Sequence, residues 1–402
     1  MQVTPQLSRV KSNVALLILL ATTFLPVSER FNLIKLLTIF LLCFYVPKPK
    51  YRTWFDKEGK GIIALWLISA IIASLGVLFV EGIFNQSWTF HEFSRILYYG
   101  LVMFLCSRIQ IDLRFLFFCC CIVLGIHFTI QLTQYLKLGT FNHLIETYYI
   151  SEEDIGKSHY QQAVSPYYSF RSGSIFINPN VYVCYPYLTL AVILEYYRQT
   201  RQLWPLLMIV VAFLSVVFTG SRMGMLAFII ITIWFFKFIG RNKRKRKTNN
   251  IGTFIFILAL VIVGIFFGED LINSMDDFRA FELESAYQSS GETKVSGFLI
   301  YLQYCNPFYW LTGSLGSKAL NIQIDMEFGY IIAWFGILGI IWYSRLIKGI
   351  YRNNLQQFRV LSTIATLGIL VTAIGASSVL NMSVFPYICA IALTNLSFKK
   401  FS

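Results

Sequence analysis

Residues 219–247 read TGSRMGMLAFIIITIWFFKFIGRNKRKRK, and this stretch decides the fold class. From Ser221 to Ile239 it is apolar apart from Arg222 near one end and Lys237 near the other. A bilayer core calls for about 20 mostly apolar residues in one helix, with about 17 tolerated where flanking side chains reach the interface. The stretch then runs into Arg241, Lys243, Arg244, Lys245, Arg246 and Lys247. Lys and Arg concentrate in loops that stay cytoplasmic, so the cluster orients the span. Its place between two predicted spans makes it an anchor or a contact with anionic lipid, and no nucleic-acid role is expected of it.

The rest of the chain carries the same signature. Its 402 residues are 56% hydrophobic, 17% aromatic and only 13% charged, with a mean hydropathy of +0.61. A soluble globule is excluded, because about a quarter of its residues would be charged. Disordered, disulfide-rich and coiled-coil classes are excluded by the same figures. The expected fold is an all-α polytopic transmembrane helix bundle of about twelve spans, forming a single transmembrane domain over residues 1–402. The spans are placed near 13–28, 31–46, 61–80, 93–107, 114–136, 176–196, 203–219, 221–239, 251–267, 326–344, 360–376 and 379–396. The first two are short enough for a re-entrant hairpin. With both termini cytoplasmic, 24 basic and 4 acidic residues fall inside, and 10 basic and 16 acidic residues fall outside or near outer span ends. The net charge of +14 thus divides into about +20 inside and about −6 outside.

No cleavable signal peptide is expected; Arg9 and Lys11 precede a first anchor instead. Seven of the eight cysteines fall in predicted spans, and Cys305 alone lies in an external loop, so cysteine has no evident disulfide or metal role. No internal repeat relates the two halves.

Two external loops are long, 137–175 and 268–325, and loops of that length are usually functional. The first carries His143, Tyr148, Tyr149, His159, Tyr160, Tyr167 and Tyr168; the second is acidic, with aromatic turns at Tyr304, Phe308, Tyr309 and Trp310. Aromatic faces beside hydroxyls and carboxylates suit carbohydrate, and they equally suit an interfacial belt. Arg171, Arg222 and Arg279 stand on the side that the topology rule keeps poor in basic residues, so each asks for an anionic partner. Guanidinium matches phosphate because it is always charged and presents a fork of donors; the plainer reading is a salt bridge or a lipid phosphate. Arg222 also opens a helix, whose free N–H groups attract anions.

Two strings sharpen this. The first is Phe170-Arg171-Ser172-Gly173-Ser174-Ile175-Phe176-Ile177-Asn178-Pro179-Asn180, in which Asn178 and Pro179 also suit a helix start. The second is Thr219-Gly220-Ser221-Arg222-Met223-Gly224, which also suits a tight turn between packed helices. With Asp325, Glu327, Gly329, Gly336 and Gly339 following the second loop, the sequence resembles the O-antigen polymerase and O-antigen ligase superfamily of bacterial envelope polysaccharide assembly. The resemblance extends over roughly the central half of the chain and the plan of about twelve spans; each motif is degenerate, and their order and membrane side agree.

The resemblance implies a membrane glycosyltransferase at the outer face of the bacterial cytoplasmic membrane. Its donor would be a glycan on undecaprenyl diphosphate, and its product an O-antigen, capsular or exopolysaccharide chain. An acceptor hydroxyl attacks the anomeric carbon, and undecaprenyl diphosphate leaves. Arg171 and Arg222 would stabilise the diphosphate without a metal or cofactor, with Arg279 as a third candidate. Asn178, Asn180, Ser221 and His159 are candidate substrate contacts. The ligase branch calls for a His in the second loop, and residues 268–325 contain none, which favours a polymerase. Asp325 and Glu327 are then the candidate general bases, with His143 and His159 in reserve; both carboxylates also suit interfacial anchors or Arg partners. A chain-length regulator and a flippase would be partners beside the membrane lipids. The alternatives are a ligase and a lipid-linked oligosaccharide transporter. A transporter should show repeat symmetry, short loops and charges buried mid-span, and Lys35 and Glu195 are expected near span ends instead.

Overall fold

The computed structural model describes residues 5–26, 29–49, 51–82, 86–150, 161, 163–164, 171–176, 178–240, 301, 303, 305–315, 327–375 and 380–398. Among these, the helices in chain order are α1 (Pro5–Thr22), α2 (Glu29–Tyr45), α3 (Lys60–Glu81), α4 (Gln86–Arg108), α5 (Leu113–Tyr135), α6 (Gly139–Tyr149), α7 (Pro179–Tyr182), α8 (Cys184–Thr200), α9 (Leu207–Phe218), α10 (Arg222–Gly240), α11 (Phe308–Thr312), α12 (Glu327–Asn353), α13 (Arg359–Gly375) and α14 (Phe385–Ala392). A turn of π-helix, Phe55–Gly59, leads into α3. Among the described residues, only two three-residue strands, Gln110–Asp112 and Asn395–Ser397, interrupt this helical plan.

Among the described residues, three helices are long and apolar enough to cross a membrane: Phe55–Glu81, Leu113–Tyr135 and Glu327–Asn353. Shorter apolar helices occupy Phe31–Tyr45, Trp204–Phe218, Gly224–Lys237 and Arg359–Ala373. The membrane character shows in which residues face outward. On α2, Leu33, Leu37, Phe40, Leu41 and Phe44 are exposed, whereas Lys35 is buried. That inverts the order water imposes and fits an apolar solvent.

Several predicted spans differ from the helices observed. The first begins earlier, at Pro5, and its helix ends at Thr22, because the hydroxyls of Thr22 and Thr23 turn back to Leu19 O and Leu20 O and Pro26 follows. The sixth begins later: Gly173 and Phe176 form a bridge, α7 supplies one turn, and α8 starts at Cys184. The span expected at 379–396 is helical only over α14. The span expected at 251–267 lies outside the described residues, as does most of the 268–325 loop.

The chain divides into two compact units. The first comprises Met1–Ile111, Leu283–Gln356 and Ala373–Asn395. Its core is aromatic: Trp66 of α3 stacks on Trp342 of α12 at 4.3 Å, and Tyr99 of α4 stacks on Phe385 of α14 at 4.0 Å. Helix α12 is broken at Gly336, whose φ of 58° and ψ of −151° are not helical. Within a membrane a break is tolerated only where the freed backbone groups find partners. Here the carbonyl of Ala333 accepts from Ser314 N at 2.8 Å and the carbonyl of Trp334 from Leu315 N at 3.1 Å. Ser314 Oγ and Tyr301 Oη add further donors to Ala333 O, at 2.8 Å and 3.1 Å. The approach needs glycine on both sides. A Cβ on Gly336 would stand 2.3 Å from Leu311 O, and one on Gly313 (φ 79°) would stand 2.2 Å from Trp334 O.

The turn at 380–384 explains the shortness of α14. Three helices hold it: Lys35 Nζ donates to Ser383 Oγ at 3.0 Å, Tyr98 Oη to Met382 O at 3.1 Å, and Leu380 N to Glu327 Oε1 at 2.9 Å. Asn381 Oδ1 then accepts from Ser383 N and Val384 N, closing the turn before the helix.

Several charged side chains are buried in this unit. Glu92 and Arg95, one turn apart on α4, form a buried ion pair, and Trp66 Nε1 donates to Glu92 Oε1 at 2.9 Å. Arg95 also lies over the rings of Tyr330 and Trp334. Lys35 and Glu327 are fully buried as well. Short hydrophobic runs conceal such residues because a paired charge needs only one or two helical positions.

The second unit comprises Asp112–Glu282, Gln357–Thr372 and Leu396–Ser402. Helix α8 is its axis, buried at every position from Cys184 to Tyr197, which fits its apolar residues on all sides. Phe117 of α5 stacks on Tyr196 at 4.4 Å. Glu195, near the end of α8, is buried and caps α13: its Oε2 accepts from Val360 N and Leu361 N, both at 3.1 Å, while Arg198 and Gln199 donate to Oε1.

Candidate functional site

The site is built on α5, an apolar helix interrupted by His127, Gln131 and Gln134. Their spacing of four and three puts them on one face, and all three are buried. A polar stripe inside an apolar helix must find partners, and here it finds the irregular segment 171–176. Gln131 Nε2 donates to Ser172 O at 3.0 Å and to Ser215 O at 3.1 Å, and Ser215 Oγ donates back to Gln131 Oε1 at 2.5 Å. Tyr182 Oη meets Ser215 Oγ at 2.6 Å. Gln134 Nε2 donates to Ser174 O at 3.1 Å and accepts at Oε1 from Ser172 Oγ. His127 Nδ1 lies 2.9 Å from Ser174 Oγ, with its ring against Tyr182 and Tyr185. Two glutamines thus do for segment 171–176 what a strand partner would do in a soluble protein.

This network fixes where Arg171 sits. Ser172 N donates to Phe218 O at 2.8 Å, so the segment runs beside the turn between α9 and α10. Arg171 Nε then donates to Thr219 O at 3.2 Å. Gly220 occupies the left-handed region at φ 61°, and a Cβ there would stand 2.7 Å from Arg171 Cγ. The two sequence strings singled out for their arginines therefore meet. Ser221 completes the turn: its N–H donates to Thr219 Oγ1 at 3.2 Å, and its Oγ accepts from Gly224 N at 3.3 Å, as a helix cap does. Arg222 is the first residue of α10. The start of a helix presents N–H groups and the positive end of the dipole, and Arg171 is held against that start.

The remaining predicted residues separate into groups. Asn178 caps α7, its Oδ1 accepting from Asn180 N at 2.9 Å, so both serve the helix start beside Arg171's segment. Glu327 belongs to the first unit, where Leu380 N and Tyr343 Oη, at 3.2 Å, occupy its two carboxylate oxygens. That engagement and its full burial make it a pin for the 380–384 turn. His143 is exposed on α6, 3.9 Å from Glu146. Arg279, Asp325, His159 and the side chain of Arg222 lie outside the described residues. Among the described residues no group of three His, Cys, Asp or Glu could hold a metal ion.

Sequence reasoning missed Gln131, Gln134 and His127. The available signal was the spacing of three polar residues on one face of the fifth predicted span. No protein-family model matches the chain, and no curated protein matches it.

Proposed function

We propose that the protein is a membrane glycosyltransferase that polymerises lipid-diphosphate-linked oligosaccharide repeat units, with about twelve spans and both termini cytoplasmic. The observation that supports it is the meeting of Arg171 with Thr219 and Gly220 just before the start of α10. A leaving diphosphate develops charge as the glycosidic bond breaks, and a guanidinium beside a helix start stabilises such charge without a metal. Arg171 takes that role, Arg222 shares it from the first turn of α10, and Arg279 is a further candidate. Ser221, Asn178 and Asn180 shape the backbone around the arginine. With Glu327 engaged by Leu380 and Tyr343, Asp325 becomes the preferred general base. The donor and acceptor would be undecaprenyl-diphosphate-linked glycans in the outer leaflet of a bacterial cytoplasmic membrane, with a flippase and a chain-length regulator as partners.

The test is chain extension by the purified protein in vesicles supplied with a single lipid-linked repeat unit. A ladder of longer lipid-linked chains is the expected result; unchanged single repeats would reject the proposal. A second reading, transport of lipid-linked oligosaccharide, is favoured by the buried Glu92–Arg95 pair and by buried Lys35, since a transporter of this kind would carry charges buried within its helix bundle. The same vesicles discriminate the two, because a transporter moves the single repeat across the bilayer and leaves its length unchanged.

A further inference from the structure

The aromatic residues around Trp310 were candidates for carbohydrate contact in an aqueous loop, and their placement gives them a different partner. Helix α11 turns Tyr309 and Thr312 inward: Tyr309 Oη donates to Glu81 Oε1 at 2.9 Å, and Thr312 lies against Gly76 of α3. Gly76 is five residues inside the end of α3, or about 7.5 Å at 1.5 Å per residue, so α11 descends from the level at which α3 ends to a point inside it. The chain then continues inward to the broken middle of α12 through Ser314 and Leu315. The opposite face of α11 is apolar and open, with Trp310 46% and Leu311 59% exposed. Phe308 meets Phe79 of α3 at a ring separation of 5.6 Å, and Phe79 is 81% exposed. Leu75 and Leu78 extend the same open surface along α3. Since α3 belongs to a helix long and apolar enough to cross a membrane, its outward face and that of α11 form one continuous surface.

We infer that residues 308–315 are a re-entrant wedge whose outer face, Phe308, Trp310 and Leu311, is seated in the lipid of the bilayer at the boundary near the end of α3. The composition fits that depth: Trp310 directs Nε1 to Cys305 Sγ at 3.1 Å and leaves its ring on the apolar side, as interfacial tryptophans do. The occupant is bilayer lipid, because the surface is continuous with the outward face of a candidate span and the hydroxyls of Tyr309, Thr312 and Ser314 are all hydrogen-bonded within the protein.

The experiment attaches a nitroxide to Leu311→Cys, and separately to Phe308→Cys, in full-length protein in phosphatidylethanolamine/phosphatidylglycerol vesicles. Wild-type protein, in which Cys121 is half-buried and the other described cysteines are buried, supplies the labelling background. The expected result is that both labels collide more with dissolved oxygen, which partitions into lipid, than with a water-soluble nickel complex. Greater collision with the nickel complex would place the face in water and overturn the inference. Protection from both relaxants would show another protein segment covering it and would overturn it equally.

Discussion

Arg171 and Gly220 lie far apart in sequence and touch in the fold: the side-chain stem of Arg171 runs so close to Gly220 that an added Cβ would stand 2.7 Å from Arg171 Cγ and 3.0 Å from its Nε. Gly220 also has a φ of 61°. Gly220→Ala therefore meets two penalties, a strained backbone of about 1–2 kcal/mol and a steric contact that displaces Arg171. The expected outcome is a modest fall in thermal stability in detergent and a much larger fall in chain extension. Equal losses in both would mean that the contact is only structural.

The glycine pair in the first unit makes a harsher prediction. Gly336→Ala places a methyl against Leu311 O and forces a left-handed conformation on alanine. The carbonyl partners at Ala333 and Trp334 are then lost, and the variant is expected to fold poorly, with little protein in the membrane fraction. Gly125→Ala is the contrast, since nothing lies within 4 Å of its Cβ position. There alanine should be neutral or gain up to about 1 kcal/mol from helix propensity. The check is membrane-fraction yield and melting temperature of both variants.

The buried pair on α4 predicts non-additivity. Glu92→Gln leaves Arg95 buried without its carboxylate, a loss of about 3–5 kcal/mol where one member of a buried pair is removed. Replacing both, as Glu92→Gln with Arg95→Met, removes the stranded charge, so the double variant should be more stable than the single one. Thermal unfolding of the three proteins decides it; a double variant less stable than Glu92→Gln would contradict the account.

Cys305 gives a pH-dependent prediction. Burial pushes its thiol above the ordinary range, and the hydrogen bond from Trp310 only partly opposes this. The thiolate is the reactive form, so at any given pH the folded protein holds less of it than the unfolded chain does. Maleimide should modify Cys305 slowly at pH 7, faster as pH rises, and readily after denaturation. Rapid modification of folded protein at pH 7, read by peptide mass, would place the thiol on the surface.

How much of this was legible in the sequence follows from what each signal depends on. Apolar length is local, so α3, α5, α9, α10 and α13 appear close to where the predicted spans lie. Local capping was legible as well: Asn178 and Pro179 start a helix as their types suggest. Long-range pairing was not. The break at Gly336 depends on Gly313 and Ser314, which no period within either segment reveals. The turn at 380–384 depends on Lys35, Tyr98 and Glu327 from three other helices, so residues apolar enough for a span form a turn instead. In the candidate site the arginines stood out because their charge opposes topology. Gln131 and Gln134 did not, because an uncharged amide barely disturbs an apolar run.

The central claim is that Arg171, held at the start of α10, stabilises a leaving diphosphate. The most direct measurement is the initial rate of chain extension in vesicles by wild type and Arg171→Lys at equal protein levels and equal melting temperature. Lysine keeps the charge and loses the guanidinium fork, so the account predicts a fall of about a hundredfold, the cost of one misplaced transition-state donor. A rate within twofold of wild type would contradict it.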